Sequence, residues 1–163
     1  TQADILITSS AQTALAVRTA DCLPLLLADV KAGVVAAVHA GWKGTVLQVA
    51  QKAVAHMCQR GASVDNIMAS LGPCIGVCCF EVSEDVAAQL QSSCGQCVST
   101  KVGGSVYANL SQANAQQLKN IGLLPQNIET LSLCTACSTD PCYFSYRRDD
   151  GQTGRQLAMI KLS

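Results

Sequence analysis

Cys22 stands at the mouth of the apolar run 22–28, and His39 closes the run 33–39. A thiol and an imidazole brought together by a fold can do one of two things. The imidazole can take the thiol proton and leave an activated nucleophile. Alternatively, the pair can supply two of the three protein ligands of a catalytic zinc whose fourth position stays open to water. Zinc lowers the pKa of that water and orients what it attacks. Local spacing offers no third ligand. The plain alternative is a buried thiol and a hydrogen-bonded core histidine. His56, the other histidine, falls mid-helix in Val54-Ala55-His56-Met57 and reads as structural or exposed.

Other residue groups carry weaker signals. Gly41-Trp42-Lys43-Gly44-Thr45 offers glycines, a cation and a hydroxyl ahead of a helix, where backbone N–H groups can cradle an anion. The long glycine spacing of a phosphate loop is absent, and helix packing explains the motif equally well. Gly72-Pro73-Cys74-Ile75-Gly76 permits a turn or a close approach of backbone to ligand. In Phe144-Ser145-Tyr146-Arg147-Arg148-Asp149, paired arginines beside aromatics can grip an anion or stack on a planar base. A salt-bridged turn is the competing reading. Cys94-Gly95-Gln96-Cys97 is a lone CxxC in a Ser-rich, exposed-looking stretch, so an accidental pair is expected ahead of a disulfide. Cys134, Cys137 and Cys142 hint at a metal, but their uneven spacing is unconvincing. Asn109-Leu110-Ser111 matches a glycosylation pattern in a helical setting and reads as noise.

The elements that must position these groups follow from periodicity and turn residues. Strands are predicted at 4–8, 14–18, 22–28 and 33–39. The nearly continuous apolar stretches 22–27 and 34–38 imply strands covered on both faces. Residues 29–33 form a turn between them. A helix is predicted from Lys43 to about Arg60, with Leu47, Val49, Ala50, Val54 and Met57 on its apolar stripe and Gly61 as its stop. A strand at 64–71 ends at Gly72-Pro73. A helix at 83–90 takes Ser83 as a possible cap, with Glu84 and Asp85 near its positive end. Residues 92–104 lack periodicity and read as a loop. A helix at 108–122, a strand at 128–133, an irregular stretch at 134–140 ending at Pro141, and a strand at 157–162 complete the chain. Mixed strand and helix order predicts an α+β (mixed α/β) fold over 1–163 as one domain, not a β-sandwich.

Composition narrows the function. The chain has 163 residues, 11 basic and 11 acidic side chains and 49% apolar residues. That apolar content excludes disorder, and neutrality argues against a nucleic-acid surface. No apolar stretch of about 18 residues supports a membrane span. The 10 cysteines suggest a disulfide scaffold only in a short secreted chain; here several lie in apolar runs, as small hydrophobes. A reducing, cytoplasmic setting is expected. Thr1 leads almost directly into a strand-like run without Met or leader, as if the chain began inside its natural domain.

Five segments together resemble one family. They are Thr19-Ala20-Asp21-Cys22-Leu23-Pro24 with Val38-His39-Ala40-Gly41-Trp42-Lys43-Gly44; Gly72-Pro73-Cys74-Ile75-Gly76 through Phe80-Glu81-Val82; Cys134-Thr135 through Phe144-Ser145-Tyr146-Arg147-Arg148-Asp149; and Thr153-Gly154-Arg155. They resemble the YfiH family, also called the multicopper polyphenol oxidoreductase or laccase-domain family, over nearly the whole chain. The resemblance implies a layered α/β/β/α fold and a Cys–His geometry reminiscent of deamidating bacterial toxins. It also implies a zinc centre of two histidines and one cysteine. Cys22 matches that cysteine and His39 the second histidine. The first histidine belongs to a His-Gly motif expected upstream of Thr1; His56 does not match it. The single domain is therefore expected to lack the family's usual N-terminal segment.

The implied activity is phosphorolysis of adenosine, inosine, guanosine and methylthioadenosine, with deamination of adenosine. Purine nucleoside and phosphate are then the partners, and Arg147 or Arg148, with Lys43, should lie near the site. Older naming implies copper-dependent polyphenol oxidation, and a peptidoglycan-editing role is attached to bacterial relatives. Several histidine-rich copper sites cannot be built from two histidines, so copper is the weaker alternative to zinc. Two rival expectations stand beside the zinc enzyme. One is a metal-free Cys–His hydrolase or amidase acting on a cell-wall precursor. The other is an inactive module in which Cys22 and His39 are buried structural residues.

Overall fold

The two nearly continuous apolar runs pair with each other as an antiparallel hairpin at the centre of the fold. The computed structural model describes residues 3–100, 103–139 and 142–163. In chain order the elements are β1 (Ile5–Thr8), β2 (Leu15–Thr19), β3 (Leu23–Asp29), β4 (Val34–Ala40), α1 (Trp42–Val46), α2 (Val49–Cys58), β5 (Met68–Leu71), β6 (Glu81–Val82), α3 (Glu84–Cys94), β7 (Val98–Thr100), β8 (Val106–Ala108), α4 (Leu110–Asn120), β9 (Ile128–Thr130) and β10 (Gln156–Ile160). A five-stranded sheet runs β1-β4-β3-β5-β9, with β5 and β9 parallel and its other neighbours antiparallel. β2 pairs with β10, and β6, β8 and β7 form a small third sheet.

The strand pleat divides the apolar residues between two cores. Leu23, Leu25 and Leu27 of β3 pack with Ala36 and Val38 of β4 against Ala50, Ala53, Val54 and Met57 of α2. On the opposite face, Val35 and Ala37 join Leu15 and Val17 of β2, with Ala158 and Ile160 of β10 against them. The central strands are thus covered on both sides, as their composition requires. Helices, a five-stranded sheet and a two-stranded sheet lie in layers, the mixed α/β architecture expected. Among the described residues, no helix is long and apolar enough to cross a membrane.

Several boundaries differ from the sequence reading. The helix predicted from Lys43 to Arg60 is two helices, broken at Gln48, which adopts a left-handed φ of 59°. Leu47, assigned to the apolar stripe, is 63% exposed. The break has a tertiary cause: buried Gln117 of α4 donates its side-chain N–H to the Thr45 carbonyl, at 2.8 Å. Ser83 precedes α3 in an extended conformation but makes no side-chain cap; Asn109 caps α4 instead, accepting from the Gln112 N–H at 2.9 Å. The strand predicted at 64–71 begins only at Met68, because Asn66 and Ile67 turn back to donate to the Ser63 carbonyl.

The predicted loop at 92–104 contains the end of α3 and strand β7, whose three residues are too few to show a period. Cys94 and Cys97 are disulfide-bonded and buried there, which corrects their reading as an accidental, exposed pair. Lys101 and Val102 of that stretch lie outside the described residues, as do Asp140 and Pro141 of the late irregular stretch, and Thr1.

The β3–β4 turn is locked by Asp29, which is fully buried. Its carboxylate accepts from the Ala32 N–H at 3.0 Å and the Ser63 N–H at 2.8 Å. Burial pushes its pKa up, but these backbone donors outweigh burial and hold it below the usual carboxylate value. The charge therefore stabilises the fold above about pH 4, and that contribution is lost as pH falls through the lowered folded value. Replacing Asp29 by Ala should cost about 1–3 kcal/mol at neutral pH, read by urea denaturation. Asp29→Asn should flatten the acid limb of the stability profile, and an unchanged limb would contradict this assignment.

Candidate functional site

The hairpin register delivers the thiol to the imidazole. Leu23 pairs with Ala40 and Pro24 with His39, so Cys22 arrives where His39 leaves β4. Gly41 lets them close: a Cβ built on it would lie 3.1 Å from Cys22 Sγ and 3.8 Å from His39 Cε1. Asp4 accepts from His39 Nδ1, at 3.0 Å, and its carbonyl accepts from the His39 backbone N–H at 2.9 Å. A proton held on Nδ1 by the carboxylate leaves Nε2 with its lone pair, the arrangement in which histidine binds a metal.

Cys22 and His39 line one cavity of about 300 Å³, together with Trp42, Phe80, Arg147 and Arg155. Arg147 donates to the Glu81 carbonyl at 3.1 Å and the Cys79 carbonyl at 3.4 Å, and its guanidinium lies 5.7 Å from the Phe80 ring centroid. Burial raises the Cys22 thiol pKa, and the carboxylates of Asp21 and Asp4 raise it further; Arg155 opposes them.

Asp21 fixes these walls relative to each other. It is buried and holds a left-handed φ of 81°, a conformation sparsely populated outside glycine. Its carboxylate accepts from Thr135 Oγ1 at 2.6 Å, Ser145 Oγ at 3.0 Å and the Arg147 N–H at 2.7 Å. Its carbonyl accepts from the Ile75 N–H at 2.9 Å.

Of the cations expected near the site, Arg147 lines the cavity and the other two do not. Arg148 is engaged with Asp149 and with the Thr135 and Tyr143 carbonyls. Lys43 sits over the Trp42 ring, 5.5 Å from its centroid. Arg18, which the sequence did not single out, lines the cavity; its place on β2, beside the Thr19–Cys22 motif, was the available signal. His56 is exposed, lies 3.2 Å from Gln59 Oε1 and does not line the cavity that Cys22 and His39 share.

A second group of thiols assembles elsewhere. The sulfur atoms of Cys78, Cys79, Cys134 and Cys137 all lie within 4.8 Å of one another, a set capable of holding a metal ion. Cys142, read with Cys134 and Cys137, is not part of it. The missing partners come from the Cys78-Cys79 pair, and the available signal was that pair together with the CxxC spacing of Cys134 and Cys137. Burial raises the Cys134 pKa, but N–H donors of Gly76, Cys137 and Ala136 outweigh it and bring the thiol down to about 7. Burial, then hydrogen bonding among the neighbouring thiols, pushes Cys78 and Cys79 up.

The family model described as multi-copper polyphenol oxidoreductase laccase matches residues 1–163. A purine nucleoside phosphorylase of Deinococcus radiodurans is 43% identical over 164 residues, covering 99% of this chain and 62% of its own. Adenosine deaminase RL5, from an unknown prokaryotic organism, is 36% identical over 161 residues, covering 96% of this chain and 61% of its own. The crystal structure of YfiH from Bacillus licheniformis superposes with a TM-score of 0.91 at 36% identity, covering 98% of this chain and 61% of that one. The chain belongs to the YfiH family. It spans about three fifths of the length of these three relatives.

Removing the Asp21 carboxylate orphans three donors at once. Asp21→Ala should destabilise the chain by about 3 kcal/mol or more in urea denaturation. Asp21→Asn, which tolerates the left-handed backbone, should cost less. Equal costs for the two would show that neither the acceptor oxygen kept by Asn nor its tolerance of the left-handed backbone contributes.

Proposed function

We propose that this chain is the cysteine-bearing part of a zinc-dependent purine nucleoside phosphorylase that also deaminates adenosine. Its substrates are adenosine, inosine, guanosine and methylthioadenosine. The observation that carries the reading is the convergence of Cys22 and an Asp4-oriented His39 around Gly41, at the edge of an arginine-lined cavity. One sulfur and one imidazole nitrogen suit zinc, and the third donor is expected to be a histidine upstream of Thr1. The names of two relatives, a purine nucleoside phosphorylase and an adenosine deaminase, support the same assignment.

When bound, zinc would supply Lewis acidity to a water or an attacking oxyanion. The remaining work falls to this chain. Asp4 keeps the His39 proton on Nδ1. Gly41 keeps the space between thiol and imidazole clear. Arg147, aimed by the Glu81 and Cys79 carbonyls, offers its charge to phosphate, while Phe80 and Trp42 offer apolar faces to the purine. In phosphorolysis a phosphate oxygen bonds to the ribose anomeric carbon as the glycosidic bond breaks, and the purine leaves with a proton. In deamination water adds at purine C6 and ammonia departs. Holding the reactants in line is the main contribution of the cavity walls.

The metal-free nucleophile is less well supported. Burial and two nearby carboxylates keep the Cys22 proton in place, so a thiolate at neutral pH needs a cation beside it. Polyphenol oxidation by several coppers has the least support, because His39 lines the cavity and the chain's other histidine, His56, does not.

The test is metal analysis of the natural full-length polypeptide with a phosphate-dependent assay of purine release. Cys22→Ala should abolish turnover, and Asp4→Ala should lower zinc affinity about 10–100-fold. Arg147→Ala should raise KM for phosphate at least about tenfold, with His56→Ala unchanged. Turnover that survives both chelation and Cys22→Ala would sink the proposal. Activity that survives chelation, with covalent trapping of Cys22 by an electrophile, would establish the metal-free hydrolase instead.

A further inference from the structure

We infer that Cys78, Cys79, Cys134 and Cys137 form a closed, structural zinc site, separate from Cys22 and His39, that clamps two cavity-bearing turns together. The two turns are already docked. Cys74 and Cys134 form a parallel bridge, and the Thr135 N–H donates to the Cys74 carbonyl at 3.0 Å. Cys78 and Cys79 sit in a turn closed by Cys79 and Phe80 N–H groups on the Gly76 carbonyl, each at 2.9 Å. The Ser138 N–H closes the facing turn on the Cys134 carbonyl at 3.0 Å.

The sulfur geometry fits one ion. Zinc about 2.3 Å from each of four sulfurs places them about 3.8 Å apart in a tetrahedron. Here all four lie within 4.8 Å of one another, and Cys78 Sγ is 3.5 Å from Cys137 Sγ. That spacing admits a single ion and leaves no room for a polynuclear iron–sulfur cluster. Four soft thiolates also exclude calcium and magnesium, which require oxygen ligands.

The surroundings suit a bound tetrathiolate. Gly76 provides space, since a Cβ there would come within 3.1 Å of Cys78 Sγ and of Cys134 Cβ. Its N–H donates to Cys134 Sγ at 3.2 Å. Four thiols lose their protons to solvent on binding, and the ion's two positive charges leave the centre net negative. Backbone N–H donors to sulfur offset that charge. With four protein ligands no position stays open for water, which makes the site structural, not catalytic.

The clamp reaches the cavity through the next residue on each side. Phe80 follows Cys79 and lies beneath the Arg147 guanidinium; the Cys79 carbonyl accepts from Arg147. Thr135 follows Cys134 and donates to Asp21. A metal here holds together the two segments that orient Arg147 and Asp21.

The experiment uses the natural full-length polypeptide carrying Cys22→Ala, so that the outcome is independent of the proposed catalytic zinc. Native mass spectrometry and elemental analysis should find one zinc per chain. Cobalt(II) exchanged for it should show intense thiolate-to-cobalt charge transfer and tetrahedral visible bands. Adding Cys78→Ser or Cys134→Ser should remove the zinc, while Cys142→Ser leaves it in place. The cobalt spectrum of the folded Cys22→Ala chain stands even where a serine variant fails to fold. No zinc bound by this chain, iron in its place, a mass short by two hydrogens at these cysteines, or cobalt bands lacking thiolate character would each overturn the inference.

Discussion

One buried carboxylate holds the cavity walls in place. Asp21 gathers hydrogen bonds from Thr135, Ser145 and Arg147, partners 114 to 126 positions further along the chain. Its carbonyl takes a fourth from Ile75. A buried anion is tolerable only when its lone pairs are filled, so the late segment must return to this point for the fold to form. Cys22 is the next residue. The same interaction that closes the tertiary structure therefore fixes where the Cys22 thiol stands.

Around that anchor the site divides into a rigid half and an assembled half. Cys22, His39 and Gly41 belong to one hairpin, whose register brings thiol and imidazole to the same glycine. Asp4, on the segment leading into β1, orients the imidazole from the neighbouring strand. The arginine wall has no such local origin. Arg147 reaches the cavity because Asp21 holds its backbone and the 79–81 segment holds its guanidinium. The two halves of the cavity are thus supplied by parts of the chain far apart in sequence.

Much of this was legible before the structure. Strands 22–28 and 33–39 form within one residue of their expected places, because a strand buried on both faces must be apolar throughout. The helix expected from Lys43 to Arg60 was legible as a helix but not as two. Its break depends on Gln117, a side chain about seventy positions away that captures the Thr45 carbonyl. Strand β7 was illegible because three residues cannot display a period, and the Cys94–Cys97 disulfide was hidden by polar neighbours around two buried sulfurs.

The sequence by itself determined the two apolar strands of the central hairpin, since a continuous apolar run is a local property, and left open whether Cys22 and His39 meet. It also determined family membership through motifs spread over the chain. Only the tertiary structure decided which cations face the cavity, separating Arg147 from Arg148 and Lys43. It alone joined Cys78 and Cys79 to Cys134 and Cys137. The physical reason is the same in both cases. Loop side chains carry no periodic signal, and their neighbours are chosen by long-range hydrogen bonds, above all those to Asp21, that exist only once the chain has closed on itself.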